Sequence, residues 1–355
     1  MILNFGNPPQ KIIGIFDTGS SDLIIPQAGS AVCLVPNQQC RGSNVVLGDF
    51  DASKDTNFQP RSNSGFNAAF GAGGTLSGSY IMTTVSIGNA ALGGVQVGLA
   101  VNGSMPRDAF HVSRFGVGPV DSEQTQEANK YANLPQHMKD VGLISANMVS
   151  LSFNSTPFAN GSATFGGIDQ TKFQGKLEQV SIEADDKGKM SRFVVKMTSI
   201  NLSIGGAGRR RSIHLGKRAT TNLGLGQSNG FTAIDTSAPF IAIPNDSIAN
   251  LAKALGTSFS DQSGLGLIDC ALASGDNSLI FGFNNDSTLI SVPLSRIVIS
   301  KDVLTKEDQQ SGRCALSIAA AGPKDALNVM GYPFMTAVYT VFDMDNKRLL
   351  FAKAV

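Results

Sequence analysis

The sequence predicts an all-β protein with a few short helices, assembled in two halves. Three observations carry this expectation. Glycine is abundant, with 39 residues, and charged residues make up only 15%, against roughly 25% in an average soluble chain. Apolar residues come in short β-type runs broken by Gly, Pro, Asn and Ser, and segments with helical period are few. One phrase also occurs twice. Ile12-Ile13-Gly14-Ile15-Phe16-Asp17-Thr18-Gly19-Ser20-Ser21 is echoed by Phe231-Thr232-Ala233-Ile234-Asp235-Thr236-Ser237-Ala238. Each runs an apolar segment into Asp-Thr-small and is soon followed by an apolar run and a proline, Pro26 or Pro244. A carboxylate at the end of a buried strand is costly unless something satisfies it. Building it twice points to two halves that present two carboxylates for shared-proton chemistry on water.

Along the chain, Ile12 to Phe16 and Leu23 to Pro26 read as strands around the first Asp. Phe70 to Gly78 is a Gly/Ser/Thr-rich hairpin that continues as a strand from Ser79 to Ile87. Gln124 to Val141 is polar, and Leu134-Pro135 opens one short helix through Lys139. Met148 to Phe153 alternates as a strand does. Asn154 to Gly161 is a polar, turn-rich join, which sets the expected domains at 1–158 and 159–355. Asp246 to Leu255 is a second short helix. Arg209 to Arg218 is a basic, Gly-flanked loop, read either as a solvated insertion or as a dibasic processing site. Val338 to Asp343 and Arg348 to Ala352 close the chain as a strand pair around a turn at Asp345-Asn346-Lys347.

The length allows about two domains, each with its own core. A net charge of +1 argues against nucleic acid or an anionic membrane as partner. No apolar run reaches the roughly 18 residues of a membrane span, and the tail lacks a lipid-anchor signal. The four cysteines, Cys33, Cys40, Cys270 and Cys314, allow three pairings. Proximity favours Cys33–Cys40 and leaves Cys270–Cys314. Their spacing does not suit zinc, and His111, His137 and His214 form no metal-ligand pattern, so neither metal nor cofactor is expected. Six Asn-x-Ser/Thr sequons start at Asn102, Asn154, Asn160, Asn201, Asn245 and Asn285. With an even cysteine count they suggest a secreted glycoprotein, extracellular or vacuolar. The start, Met1 to Pro9, has no secretory leader. It reads as a strand entering a Pro-Pro turn, so the chain is expected to be N-terminally incomplete.

These residues resemble those of the pepsin-type aspartic proteases, in that family's order. Gly6-Asn7-Pro8-Pro9-Gln10 is similar to the turn before the first catalytic strand, and Asp17-Thr18-Gly19-Ser20-Ser21-Asp22-Leu23 to the first active-site signature. Phe70-Gly71-Ala72-Gly73 with Ser77-Gly78 resembles the flap. Leu134 to Ile144 and Ser150 to Phe153 resemble the end of the first lobe, and Phe165 to Asp169 the opening of the second. Val329-Met330-Gly331 and Tyr339 to Asp343 resemble the closing strands. The two disulfides sit where the family keeps two of its bridges.

The resemblance implies a bilobal β fold with a central cleft, a monomer that cuts polypeptides between apolar residues and is stopped by pepstatin-like inhibitors. Asp17 and Asp235 would share one proton across the cleft floor. Thr18 and Thr236 would hydrogen-bond into the opposite lobe, Gly19 would let backbone N–H groups approach, and Ser20 would donate to Asp17. Phe70, Gly71, Gly73, Ile15 and Phe115 would form the flap and substrate surface.

Several positions depart from the family pattern. Ser237 replaces a glycine, where its Cβ is expected to crowd the acids or to need an angle serine dislikes. Ala238 replaces a hydroxyl residue facing Asp235, and losing that donor predicts a less acidic activity optimum. Phe70 and Ile24 replace a hydrogen-bonded tyrosine–tryptophan pair together, which reads as a coherent apolar contact. Arg114 stands where an apolar residue usually lines a pocket, and so suggests tolerance of acidic side chains. Tyr332 stands where an aspartate is common. An endopeptidase is the leading reading. A catalytically impaired binding or inhibitory module, and an unstable truncated product, are the alternatives.

Overall fold

Alternation along the first strand shows how the apolar pattern becomes structure. Leu3 and Phe5 are fully buried while Ile2 is 52% exposed, the period of two that a half-buried strand requires. The computed structural model describes residues 1–34, 40, 47–70, 74–104, 113–154, 161–205, 219–259, 266–273, 276–299, 313–322 and 326–355. They form two compact units. The first comprises Met1–Asn147 with Ala184–Arg192, and the second Met148–Glu183 with Phe193–Val355. Residues 155–160 of the expected join, the basic loop from Arg209 to Arg218, His111 and His214 lie outside the described residues.

The first unit holds β1 (Ile2–Phe5), β2 (Gln10–Ile13), β3 (Ile15–Asp17), β4 (Leu23–Pro26), β5 (Gln59–Ala69), β6 (Thr75–Ile87), β7 (Ala90–Ser104) and β8 (Arg114–Gly116). They make one sheet in the order β2-β1-β6-β7-β4-β8-β3, with β5 paired to β6. The run read as one strand from Ile12 to Phe16 is two, interrupted at Gly14. The expected hairpin around Phe70 is the turn between β5 and β6, closed by a bond from Phe70 N–H to the Gly74 carbonyl at 2.8 Å. The helix Leu134–Asp140 starts where Asn133 accepts from Gln136 N–H and Pro135 occupies its first turn, a position where the missing proline donor costs nothing.

The second unit holds β9 (Met148–Phe153), β10 (Gly161–Phe165), β11 (Phe173–Ser181), β12 (Val194–Ile204), β13 (Ala219–Asn222), β14 (Phe231–Ile234), β15 (Ile241–Ile243), β16 (Gly266–Asp269), β17 (Ser278–Phe283), β18 (Thr288–Pro293), β19 (Arg313–Leu316), β20 (Ile318–Ala320), β21 (Asn328–Met330), β22 (Val338–Asp343) and β23 (Arg348–Ala354). A five-stranded sheet runs β10-β9-β22-β23-β11, and β22 at its centre is buried along its whole length. A second sheet runs β18-β17-β12-β14-β21-β15-β20, with β13 paired to β12. The helix Asn245–Leu255 buries Leu251 and Leu255 and ends at Gly256, whose φ of 64° is the left-handed cap that glycine adopts freely. Among the described residues no helix is long and apolar enough to cross a membrane. The structure pairs Cys33 with Cys40 and Cys270 with Cys314.

Both units repeat one strand arrangement. In the first, β8 lies parallel to β3 and antiparallel to β4. In the second, β21 lies parallel to β14 and antiparallel to β15. Each time a strand from far along the chain inserts between the strand that leads to Asp and the one that follows it. The crossing is tight. A Cβ on Gly116 would stand 2.6 Å from the Asp22 carbonyl oxygen, and one on Gly331 would stand 2.2 Å from that of Phe240. Only glycine lets the inserted backbone pass.

Candidate active site

In the first unit Asp17 ends β3 and is 3% exposed. Its Oδ1 accepts from Gly19 N–H and its Oδ2 from the Ser20 hydroxyl, both at 2.8 Å. The loop beyond is fixed by the inserted strand: Val117 N–H donates to the Asp17 carbonyl at 2.9 Å and Gly118 N–H to that of Ser20 at 2.7 Å. Asn133, which caps the helix, also donates to the Gly118 carbonyl at 2.6 Å and to the Ser21 hydroxyl at 3.1 Å. Helix start, inserted strand and acid loop are therefore one hydrogen-bonded piece, which holds the carboxylate before any substrate arrives. Thr18 is fully buried.

In the second unit Asp235 follows β14, and its own N–H donates to the Met330 carbonyl at 3.1 Å. Its Oδ1 accepts both the N–H and the hydroxyl of Ser237, each at 2.8 Å. Thr236 is 8% exposed, and Tyr332 N–H donates to the Ala238 carbonyl at 2.8 Å. Ser237 thus does for Asp235 what Gly19 and Ser20 do together for Asp17. The expected crowding does not arise: Ser237 has no positive φ and its side chain points at the acid as a donor. The hydroxyl missing at Ala238 is supplied one residue earlier, by Ser237.

Ser237→Ala is expected to lower kcat/KM by about tenfold, because the Asp235 carboxylate loses its hydroxyl donor. Ala238→Thr alone should change little, whereas Ser237→Gly with Ala238→Thr moves the hydroxyl back and should restore most of the rate. Steady-state kinetics of the three variants check this.

Of the residues expected at the flap and substrate surface, Phe70 packs against the cluster of Ile24, Val32, Phe66, Ala68, Leu76, Tyr80 and Ala100. The paired loss of tyrosine and tryptophan has become apolar packing. Phe70→Tyr should accordingly alter kcat/KM by less than about threefold, since Ile24 offers the new hydroxyl no partner; steady-state kinetics measure this. Gly71 and Gly73 lie outside the described residues. Ile15 is half-buried. Phe115 is fully buried with its ring 5.8 Å from that of Phe5, so it belongs to the core and not to a substrate surface. Successive side chains on a strand point to opposite faces, and it is Arg114 that leaves β8 on the face of Asp17. Its Nη1 lies 4.0 Å from Asp17 Oδ2 and its guanidinium carbon 4.8 Å from the centre of the Phe70 ring.

Behind the acid loop lies a group that sequence reading did not single out. Asp22 is fully buried. It accepts from the hydroxyls of Tyr80 and Tyr131, at 2.5 and 2.6 Å, and from Gln124 N–H at 2.8 Å. Burial and the Asp22 charge push both phenols well above their ordinary value. Next to them Glu123, 5% exposed, is pushed up to about 8, first by burial and further by the charges of Asp22 and Asp121, against the Tyr131 N–H bond at 3.0 Å and the Lys130 charge. A cavity of about 230 Å³ in the second unit, lined by Ser228, Asn245, Asp246 and Asn328 among others, contains none of the candidate residues.

A family model described as eukaryotic aspartyl protease matches residues 2–354. The chain belongs to the eukaryotic aspartyl protease family. As a member it is a hydrolase of the aspartic endopeptidase class. Relatives include the probable aspartic-type endopeptidase opsB of Aspergillus oryzae, 28% identical over 99% of this chain and 67% of its own. An acid protease of Saccharomycopsis fibuligera is 26% identical over 99% and 80%. Yapsin-3 of Saccharomyces cerevisiae is 26% identical over 99% of this chain and 65% of its own. Among solved structures, the aspartic proteinase from Irpex lacteus superposes with a TM-score of 0.70 at 19% identity, covering 99% of this aspartyl protease and 93% of that chain. The mainly β architecture expected from the sequence is the fold of that proteinase.

Proposed function

We propose that this aspartyl protease cuts extended polypeptides, with Asp17 and Asp235 acting as a pair on one water. One observation carries the reading: the molecule builds a carboxylate twice at the end of the strand flanking an inserted strand, each held by the N–H two residues on and by a serine hydroxyl. Such donors fix each carboxylate in place, while two neighbouring acids hold a single proton between them. The ionised acid takes a proton from the water as its oxygen adds to the scissile carbonyl carbon. The protonated acid gives its proton to the carbonyl oxygen; the first acid then passes the proton it took to the amide nitrogen as the C–N bond breaks, and the second takes a proton back from a hydroxyl of the tetrahedral intermediate as the new carboxyl group forms. No covalent intermediate forms. Thr18 and Thr236, each next to an acid, keep the two loops in place, and the paired strands β5 and β6 on either side of Phe70 serve as the flap.

The substrate is a chain held strand-like, with apolar residues about the cleavage point. Pepstatin-like inhibitors compete for the same place, and the enzyme works as a monomer. Six sequons and two disulfides support a secretory route, extracellular or vacuolar. Hydrolysis of a denatured protein from about pH 3 to about pH 7, with and without pepstatin, tests the reading. It expects acid-range cleavage that pepstatin stops, and cleavage indifferent to pepstatin would contradict it.

A further inference from the structure

We infer that Arg114 determines specificity, by taking the carboxylate of an Asp or Glu side chain next to the scissile bond. The inference rests on the protease reading above and names a substrate class for that same site.

Register places Arg114 opposite Ile15 on β3 and Ile24 on β4. Paired residues on neighbouring strands share a face, as do residues two apart, so Ile15, Asp17, Ile24 and Arg114 project together. The side chain of Arg114 is 10% exposed and its guanidinium lies on the Phe70 ring, a contact that holds a planar cation in place. Asp17 offers it a charge partner but no hydrogen bond, since the separation of 4.0 Å is too long for one. Arg114 Nε is buried and has no hydrogen-bond partner among the described residues. A buried guanidinium with an idle donor is costly to keep, and such a cost is explained where a ligand supplies the missing acceptor.

The chemistry of that ligand is constrained. A guanidinium is a planar fork that matches two oxygens at once, as a carboxylate presents them. A polypeptide offers carboxylates on Asp and Glu side chains and at its C-terminus. An endopeptidase meets mainly the former, and half-buried Ile15 flanks the site as apolar surface for the stem of the side chain. Because Arg114 sits one guanidinium reach from Asp17, the acidic residue falls within about two residues of the cleaved bond, at roughly 3.3 Å per extended residue.

The test is a set of peptides blocked at both ends, with Glu or Gln walked through the two positions on either side of one apolar cleavage site. At about pH 5.5 the wild-type enzyme is expected to favour Glu over Gln in kcat/KM by about tenfold or more at one position. The ratio should fall toward one near pH 3, as the substrate carboxyl protonates around its ordinary value of about 4.3. Arg114→Leu should bring the ratio to one at both pH values, and Arg114→Lys should keep part of it. The wild-type ratio and its pH dependence need no variant to fold. Equal cleavage of Glu and Gln peptides, or a ratio unchanged in Arg114→Leu, overturns the inference while leaving the protease reading intact. Cleavage of neither peptide overturns both. A gain seen only when the C-terminus is left unblocked assigns Arg114 to chain ends and overturns the side-chain assignment.

Discussion

Asp17→Asn is expected to lower kcat/KM on a denatured protein by about 10⁴-fold, the upper end of what a positioned acid–base group contributes. The loss is chemical and not structural. Asparagine keeps an oxygen that can accept from Gly19 N–H, and the Ser20 hydroxyl can rotate to accept from the new amide nitrogen. The inserted-strand bonds to the Asp17 and Ser20 carbonyls involve backbone alone and survive. Melting should therefore change by no more than about 1 kcal/mol. Activity and melting of the same preparation separate the two effects. A variant that melts as the wild type and still cleaves at comparable rate would show that Asp17 is not the base.

Glu123→Gln is expected to have a large effect on stability that depends on pH. Glu123 is pushed from the ordinary 4.5 up to about 8. Below the ordinary value the side chain is protonated in both folded and unfolded states and the stabilisation is fully present. As pH rises between the two values the unfolded chain releases the proton while the folded chain keeps it, so stability falls by up to about 1.4 kcal/mol per pH unit. Above about 8 the folded form must carry the charge beside Asp22 and Asp121. Glutamine mimics the neutral acid and has no such slope. It should raise the melting temperature by about 5 °C or more at pH 7.5 and by no more than about 1 °C at pH 4.5. Equal shifts at the two pH values would show that Glu123 is ionised in the fold. The group lies behind the Asp17 loop through Asp22 and Tyr131, so that loop's support weakens as the pH rises toward about 8.

Much of this was legible because the physics is local. Short apolar runs closed by Gly and Pro gave β4, β9, the helix at Leu134 and the final hairpin close to their observed limits. The doubled Asp-Thr phrase singles out Asp17 and Asp235 because a carboxylate after a buried strand is costly unless something satisfies it. What sequence could not show is what distant strands bring together. Arg114 meets Asp17 only through the register of β8 with β3, and the face it occupies follows from that register. Phe115, one residue on, consequently belongs to the core. Asp22 gathers Tyr80 and Tyr131 from elsewhere in the chain, and no spacing rule announces such a cluster. Ser237 looks in sequence like a residue that crowds the acids, because its φ and its hydroxyl direction are set by the turn and not by spacing.

The joint action of the two acids is tested most directly by comparing Asp17→Asn, Asp235→Asn and the double variant on one substrate, with melting curves alongside. If both act on the same water, the three share a single residual rate, because groups that work as a unit lose their whole contribution with the first removal. An Asp235→Asn enzyme that keeps most of the wild-type rate, or a double variant slower by the product of the two single losses, would contradict it.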